Sequence, residues 1–507
     1  MNTFLNQMKI DSNITLTENG GLTRKSTLSS VLDMFALGAA YRDRSDEDVI
    51  LLFKNAFEED ANLAMKCLFY LRDIREGQGE RRFFRVVYRW LCCKYPEVAI
   101  KNLKYISEYG RWDDLIYATE GTKAEFAAFA IIRRQFLNDL QSETPSLLGK
   151  WLPSINASSQ NTKRLAKKIA RFLSMSDKEY RKALSNLREK IKVLEKLMSE
   201  NRWDEIDFSK ISSKAGLIYR QAFARRDILR EKYKAFANSD KEVNADALYP
   251  HDIARKAFRM YDHTPMDDPE RLMLQKYWDN LRDFYNGREE NGIAIVDVSG
   301  SMRGTPMEAA VSLGAYIADK AHGPFANHFI TFSMKPELIK FEGLDIVDKF
   351  HRCLRADWGM NTNIHAVFDL LLSTAKKKDV KPEDMPTRLY IFSDMEFDAC
   401  LCIKEDESFN SWGWQAFQWA SAASKEELFS DLENIKKEWA KAGYKMPSII
   451  FWNLRSHQNI IPAIGEGFSY VSGFSPVMID NILSGKDGYD LMIDKLINSG
   501  RYDSILA

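Results

Sequence analysis

Apolar residues recur every three or four positions along the first half of the chain and collect into unbroken runs along the second. Leu32, Phe35, Ala36 and Ala39 share one helical face, as do Val49, Leu52, Phe53 and Ala56, and again Leu63, Cys67, Leu68 and Leu71. Ser45-x-x-Asp48 and Asp60 read as helix starts. The pattern continues through Phe83–Leu91 and Glu97–Ser107, which predicts stacked antiparallel helices with short connections. Two basic amphipathic helices are predicted from Leu165 to Met198, a further helical stretch over Lys214–Phe236, and a loop over 237–250. Gly110-Arg111-Trp112-Asp113-Asp114-Leu115 reappears in weaker form as Asn201-Arg202-Trp203-Asp204-Glu205-Ile206, which fits a helical-repeat body. Residues 1–25 are polar and turn-rich, with Asn19-Gly20-Gly21, and are expected to form an extended lead-in.

The texture changes at Asn291. Ile293-Ala294-Ile295-Val296 ends at Asp297, as expected of a strand buried on both faces. His328–Ser333, Leu389–Phe392 and Ser448–Trp452 repeat that character. Helices are predicted between them over Pro306–Lys320, Ile364–Ala375 and Glu426–Ala442. Strands alternating with helices predict a parallel, doubly wound sheet, whose ligands bind beyond the carboxyl ends of the strands. The expected division is a lead-in over 1–25, a helical-repeat domain over 26–290 and an α/β domain over 291–507.

Composition narrows the class. A chain of 507 residues, 45% hydrophobic, is too long for one core and too apolar to be largely disordered. No apolar run approaches the roughly 18 residues of a membrane span, and the amino-terminal residues lack the order of a signal peptide. The expected compartment is the cytosol. Six cysteines without a CxxC pair argue against a disulfide scaffold or a structural zinc site. The overall charge is zero, yet residues 1–290 hold 50 Lys and Arg against 43 Asp and Glu, and residues 291–507 hold 22 against 29. Residues 163–196 alone carry 12 basic and 4 acidic side chains.

The chemistry concentrates at predicted strand ends. Asp297-Val298-Ser299-Gly300-Ser301 can place one carboxylate and two hydroxyls on one side of a turn. Gly359-Met360-Asn361-Thr362-Asn363 precedes a helix and can bring the Thr362 hydroxyl to the same point, while Ser393-Asp394 supplies a second carboxylate. Hard oxygen donors of this kind suit magnesium first, with manganese or calcium as alternatives. Glu396 and Asp398 add charge nearby in sequence, and Trp412, Trp414 and Trp419 mark an aromatic insertion.

This set, with Thr362 falling 61 residues after Ser301 and Asp394 32 residues further on, resembles the metal-ion-dependent adhesion site of von Willebrand factor A domains. Tyr70-Leu71-Arg72-Asp73-Ile74-Arg75-Glu76-Gly77-Gln78-Gly79-Glu80-Arg81 resembles the signature of the family called domain of unknown function 2828. So do Tyr109–Leu115, Trp358–Thr362 and Ser472-Gly473-Phe474-Ser475-Pro476. That family is similar to the TROVE/Ro proteins, in which a ring of HEAT-like helical repeats is joined to a von Willebrand A domain. The resemblance implies structured noncoding RNA held on a basic outer surface and single-stranded ends of misfolded RNA in the ring's hole. It implies a metal at Asp297, Ser299, Ser301, Thr362 and Asp394, a partner carboxylate completing the coordination, and a monomer.

Two basic regions are candidates for the RNA. Around Arg72, Arg75, Arg81, Arg82 and Arg85, guanidinium forks near Gly77 and Gly79 either contact phosphate or pair with Asp73, Glu76 and Glu80 within an interhelix turn. Lys163, Arg164, Lys167, Lys168 and Arg171 either track an RNA backbone, with Arg164, Lys168 and Arg171 on one face, or form a solvated helix face. Phe172, Tyr180 and Trp203 are either stacking platforms or core. No Walker loop, Gly-x-Ser-x-Gly elbow or His-Glu-x-x-His is present, so a noncatalytic RNA-binding protein is expected. The alternative is a metal-dependent protein scaffold without nucleic acid.

Overall fold

A computed structural model of the chain describes residues 14–16, 22–261, 263–285, 287–289, 291–332, 336–355, 364–395, 435–456, 467–483 and 488–507. The chain divides into two compact units that interleave along the sequence. A helical unit comprises Ser45–Leu248, Thr264–Arg282 and Lys495–Ala507, and an α/β unit comprises Met1–Arg44, Tyr249–His263 and Asp283–Asp494. These divisions differ from the boundaries at 25/26 and 290/291 expected from the sequence.

The α/β unit begins with a short antiparallel hairpin, β1 (Ile14–Leu16) and β2 (Leu22–Arg24), and helix α1 (Ser30–Leu37). The Ser29 side chain caps α1 by accepting the Leu32 amide. From residue 30 to residue 283 the described chain is helices and their connections.

In the helical unit α2 (Asp46–Glu59) and α3 (Ala61–Arg72) pack as a pair. Their starts are set by side-chain caps: Ser45 Oγ accepts the Asp48 amide at 3.1 Å, and Asp60 Oδ1 the Leu63 amide at 2.8 Å. Val49, Leu52, Phe53 and Ala56 are the buried face of α2, so the three-and-four spacing translates directly into core. Next come α4 (Arg81–Lys94), α5 (Pro96–Asn102), α6 (Ile106–Tyr109) and α7 (Trp112–Thr119), with α4 packed on α7. They are followed by α8 (Glu125–Gln141), α9 (Leu148–Trp151), α10 (Gln160–Phe172), α11 (Asp177–Lys190) and α12 (Leu194–Ser199). The stretch predicted as one helical run over Lys214–Phe236 is two helices, α13 (Ser213–Arg225) and α14 (Asp227–Ala237). Helix α15 (Pro250–Ala257) belongs to the α/β unit, and α16 (Pro269–Asp279) packs on α14 in the helical unit.

The sheet of the α/β unit contains β3 (Gly292–Asp297), β4 (His328–Phe332), β5 (Leu338–Lys340), β6 (Arg388–Ser393), β7 (Ser448–Asn453) and β8 (Phe468–Ser472). Their order is β5-β4-β3-β6-β7-β8, parallel throughout except for the antiparallel edge strand β5. Every position of β3 is buried, as its continuous apolar run requires. Helices α17 (Thr305–Lys320), α18 (Ile346–Arg355) and α19 (Ile364–Lys378) fill the crossovers, and α20 (Met478–Ile482) and α21 (Gly488–Ile493) follow β8. Helix α1 lies against β8 and α15 against α17 and α18, which explains why both belong to this unit and not to the helical one. Among the described residues no helix is long and apolar enough to cross a membrane.

Candidate functional site

The strand order reverses between β3 and β6, and two carboxylates meet there. Asp297 is the last residue of β3, and Asp394 follows the last residue of β6, so adjacent parallel strands deliver both to the carboxyl edge of the sheet. Both are buried, at 0% and 1% exposure. Asp297 Oδ1 accepts the Ser299 amide at 2.8 Å, and Oδ2 accepts the Ser393 hydroxyl at 2.6 Å. The Ser299 and Ser301 hydroxyls lie 3.0 Å apart. Burial, and after it the negative charge of Asp394, pushes Asp297 up to about 7.

This donor set fits a hard divalent cation. Two buried carboxylates with neighbouring hydroxyls hold more negative charge than their hydrogen bonds offset, and a cation among them would relieve both burial and repulsion. Asp297, Ser299, Ser301 and Asp394 lie together at this edge of the sheet. Thr362 lies outside the described residues, as do Glu396, Asp398, the Trp412, Trp414 and Trp419 insertion, Cys400 and Cys402. Among the described residues no cluster of three or more His, Cys, Asp or Glu is placed to hold a metal.

Arg455, two residues past β7, was not singled out from the sequence. Its Nη1 donates to the Ser301 carbonyl at 2.7 Å, and its Nε lies 3.3 Å from Asp43 Oδ2. The signal was an arginine just past a buried strand, an ordinary enough feature to be overlooked.

The arginines of the 70–85 signature are bound into the helical unit in different ways. Arg72 is 2% exposed and pairs with the fully buried Asp114, through Nε at 2.9 Å and Nη2 at 2.7 Å. It is thereby removed from the candidate RNA contacts, because its charge is neutralised and out of reach of solvent. Arg75 donates to the Glu108 carbonyl, and Arg82 pairs with Asp46. Arg85 reaches Asp114 at 2.6 Å and Asp113 at 2.8 Å, so the acids that pair with Arg72 and Arg85 lie in the second motif, not within the turn. Asp73 instead joins Arg501 and accepts the Tyr502 hydroxyl at 3.0 Å. Among the described residues neither Arg75 nor Arg81 has a carboxylate within ion-pairing distance; the charged surroundings of Arg81 are Arg111, Arg85, Asp113 and Asp114. Gly110 is fixed by this cluster, since a Cβ there would sit 2.6 Å from Asp114 Oδ2 and 2.9 Å from Arg72 Nε.

The basic helices are partly neutralised. Arg164 pairs with Glu120, Lys168 with Glu125 at 2.5 Å, and Lys167 approaches Asp177 at 3.7 Å. The face expected to run through Arg164, Lys168 and Arg171 therefore retains Arg171 as its uncommitted charge. Exposed cations without a carboxylate partner among the described residues continue on α11 as Lys178, Arg181 and Lys182, with half-buried Lys163 at the start of α10. Tyr180 and Trp203 are buried and serve the interior, whereas Phe172 is half-buried and packs edge-on against buried Phe129 and exposed Phe126.

Residues 17–118 and 132–283 match the Domain of unknown function DUF2828, and residues 291–496 match the Domain of unknown function DUF7788. Over 94% of its length the chain is similar to an uncharacterized protein of Acanthamoeba polyphaga mimivirus, at 29% identity and over 86% of that protein. No solved structure matches the chain.

Proposed function

The chain belongs to the family of the domain of unknown function DUF2828, and from that premise we propose that it is a noncatalytic RNA-binding protein resembling the Ro ribonucleoproteins, with a metal-ion-dependent adhesion site in its α/β unit. The observation that carries the reading is the meeting of buried Asp297 and Asp394 with Ser299 and Ser301 where the sheet reverses its order. The strand order, with β5 as an antiparallel edge on an otherwise parallel sheet, resembles that of von Willebrand A domains and supports the reading. A magnesium, manganese or calcium ion held by these oxygens would supply an electrophilic position for the carboxylate of a protein partner. Arg455, which donates to the Ser301 carbonyl and is paired with Asp43, places a guanidinium beside these oxygens.

The RNA-binding part rests on the uncommitted cations of α10 and α11. Arg171, Lys178, Arg181 and Lys182 are exposed and spaced along two consecutive helices, as contacts to the phosphates of a structured or misfolded noncoding RNA require. The test is a gel shift of structured RNA bearing a single-stranded end, across a salt series. Affinity is expected to fall steeply with salt, and replacing Lys178, Arg181 and Lys182 with Gln is expected to flatten the slope by about 2–3. Absence of binding at low salt would leave the metal-dependent protein scaffold as the reading.

A further inference from the structure

A pocket of about 250 Å³ opens in the helical unit between α7, the segment after α9 and the first turn of α10. Trp151 and Tyr117 supply aromatic wall, Ser154 and Thr162 hydroxyls, Leu165 an apolar floor and Asp113 a carboxylate. Cations cover the rings. The Arg111 guanidinium lies 3.9 Å from the Trp151 ring centre, Lys150 Nζ 5.6 Å from it, and the Arg85 guanidinium 4.6 Å from that of Tyr117.

The charge around this pocket does not balance. Asp113 is already shared by Arg85 at 2.8 Å and Arg111 at 2.6 Å, and its neighbour Asp114 by Arg72 and Arg85. Burial pushes the Asp113 carboxyl up, but Arg111 and Arg85 outweigh it and hold the group below the usual range. Arg81 adds a further guanidinium to the same two acids; burial, then Arg111 and Arg85, lowers its own pKa. On the other side Arg188 donates to Ser154 Oγ at 2.8 Å and to the Gly149 and Leu152 carbonyls at 3.0 Å, all neutral oxygens. Surplus guanidinium beside an aromatic-walled cavity is the complement of an anion attached to a planar ring.

We propose that this pocket binds one nucleotide, its base against Trp151 and Tyr117 and its phosphate toward Arg81 and Arg111. At about 250 Å³ the pocket has room for one base, with sugar and phosphate at its mouth, and excludes a duplex. The nucleotide is either a free nucleoside monophosphate or the phosphorylated end of an RNA strand; in the second case the site deepens the RNA-binding reading and rests on it.

The experiment is calorimetric titration of the full chain with adenosine 5′-monophosphate, adenosine, and a single-stranded oligoribonucleotide carrying either a 5′-phosphate or a 5′-hydroxyl. Phosphate-bearing ligands are expected to bind more tightly than their unphosphorylated counterparts. Arg81→Gln and Trp151→Leu are each expected to weaken them by about fivefold or more. Arg81 is exposed and outside the packed core, so its variant keeps the test valid if Trp151→Leu fails to fold. Preference of the monophosphate over the phosphorylated oligonucleotide identifies the free ligand, and the reverse identifies the strand end. No binding of either, or binding that Arg81→Gln leaves unchanged, overturns the proposal. The Lys178/Arg181/Lys182 variant separates the two readings: it is expected to lose structured RNA while keeping the monophosphate. Loss of structured-RNA binding from every form of the protein, with the monophosphate still bound, would sink the proposed function and leave the pocket.

Discussion

Asp114 receives Arg72 through two nitrogens and the Arg111 amide on Oδ2, and Arg85 on Oδ1. Replacing Arg72 with Leu would strip two of those donors from a carboxylate with no access to water. The expected cost is about 3–5 kcal/mol of unfolding free energy. Urea denaturation of the full chain reads it, and a loss below about 1 kcal/mol would contradict the account of the pair. Cysteine reactivity follows the same logic of burial. Burial raises the thiols of Cys67 and Cys353, and pushes Cys92 up to about 12, whereas Cys93 is exposed. Among these four, a maleimide reagent at neutral pH is expected to label Cys93 and spare the others, as peptide mapping by mass spectrometry would show. None of this pairing is visible along the chain. Arg72 stands among other arginines, and its partner lies 42 residues away, so only the folded interior distinguishes it from a phosphate ligand.

At the scale of elements, the meeting of β3 and β6 makes a prediction about metal. In metal-free buffer Asp297→Asn is expected to match or exceed the parent's stability, since it removes one of two repelling buried charges. Added magnesium at about a hundredfold excess over its Kd should raise the parent's Tm by roughly 5–10 °C and leave Asp297→Asn unmoved. Thermal unfolding with and without a chelator measures both, and an equal rise in the two proteins would exclude the site. This constellation was legible because its parts are local: Asp297, Ser299 and Ser301 span five residues, and Asp394 follows a strand whose Leu-Tyr-Ile-Phe run announces itself. Strands β3, β4, β6 and β7 were equally plain. Edge strand β5 has three residues and a single buried position, and β8 opens on half-buried Phe468 and Ser469, so neither leaves a period-two or continuous apolar signal. Helix α18 was not predicted from the sequence, although its buried Ile346, Val347, Phe350 and Cys353 recur at helical spacing.

For the whole molecule the interleaving matters most. Residues 495–507 pack within the helical unit: Tyr502 stacks on Tyr109 at 5.4 Å between ring centres, and the Tyr109 hydroxyl donates to the Arg501 carbonyl at 2.6 Å. Asn102 Nδ2 donates to the Leu506 carbonyl at 2.6 Å, and Lys66 pairs with Asp503 at 2.9 Å. Deleting residues 495–507 would uncover Tyr70 and Tyr109 and leave Asp73 buried without Arg501 or Tyr502. The truncated chain is expected to expose the helical unit to limited proteolysis under conditions where the full chain resists. Equal resistance would mean that the segment is ornamental. The sequence carried no sign of this arrangement, because apolar periodicity reports which face of an element is covered and not which part of the chain covers it.

The order of synthesis gives that last segment a further meaning. A ribosome delivers residues 45–248 early, yet Asp73, Tyr109 and Asn102 must wait for residues 501–506 before their contacts can form. The α/β unit faces the mirror problem, holding its earliest residues in reserve until β8 emerges to receive α1. Both units wait on the last tenth of the chain, the α/β unit for β8 and the helical unit for residues 495–507, so the nascent protein is expected to reach protease resistance in one late step rather than two.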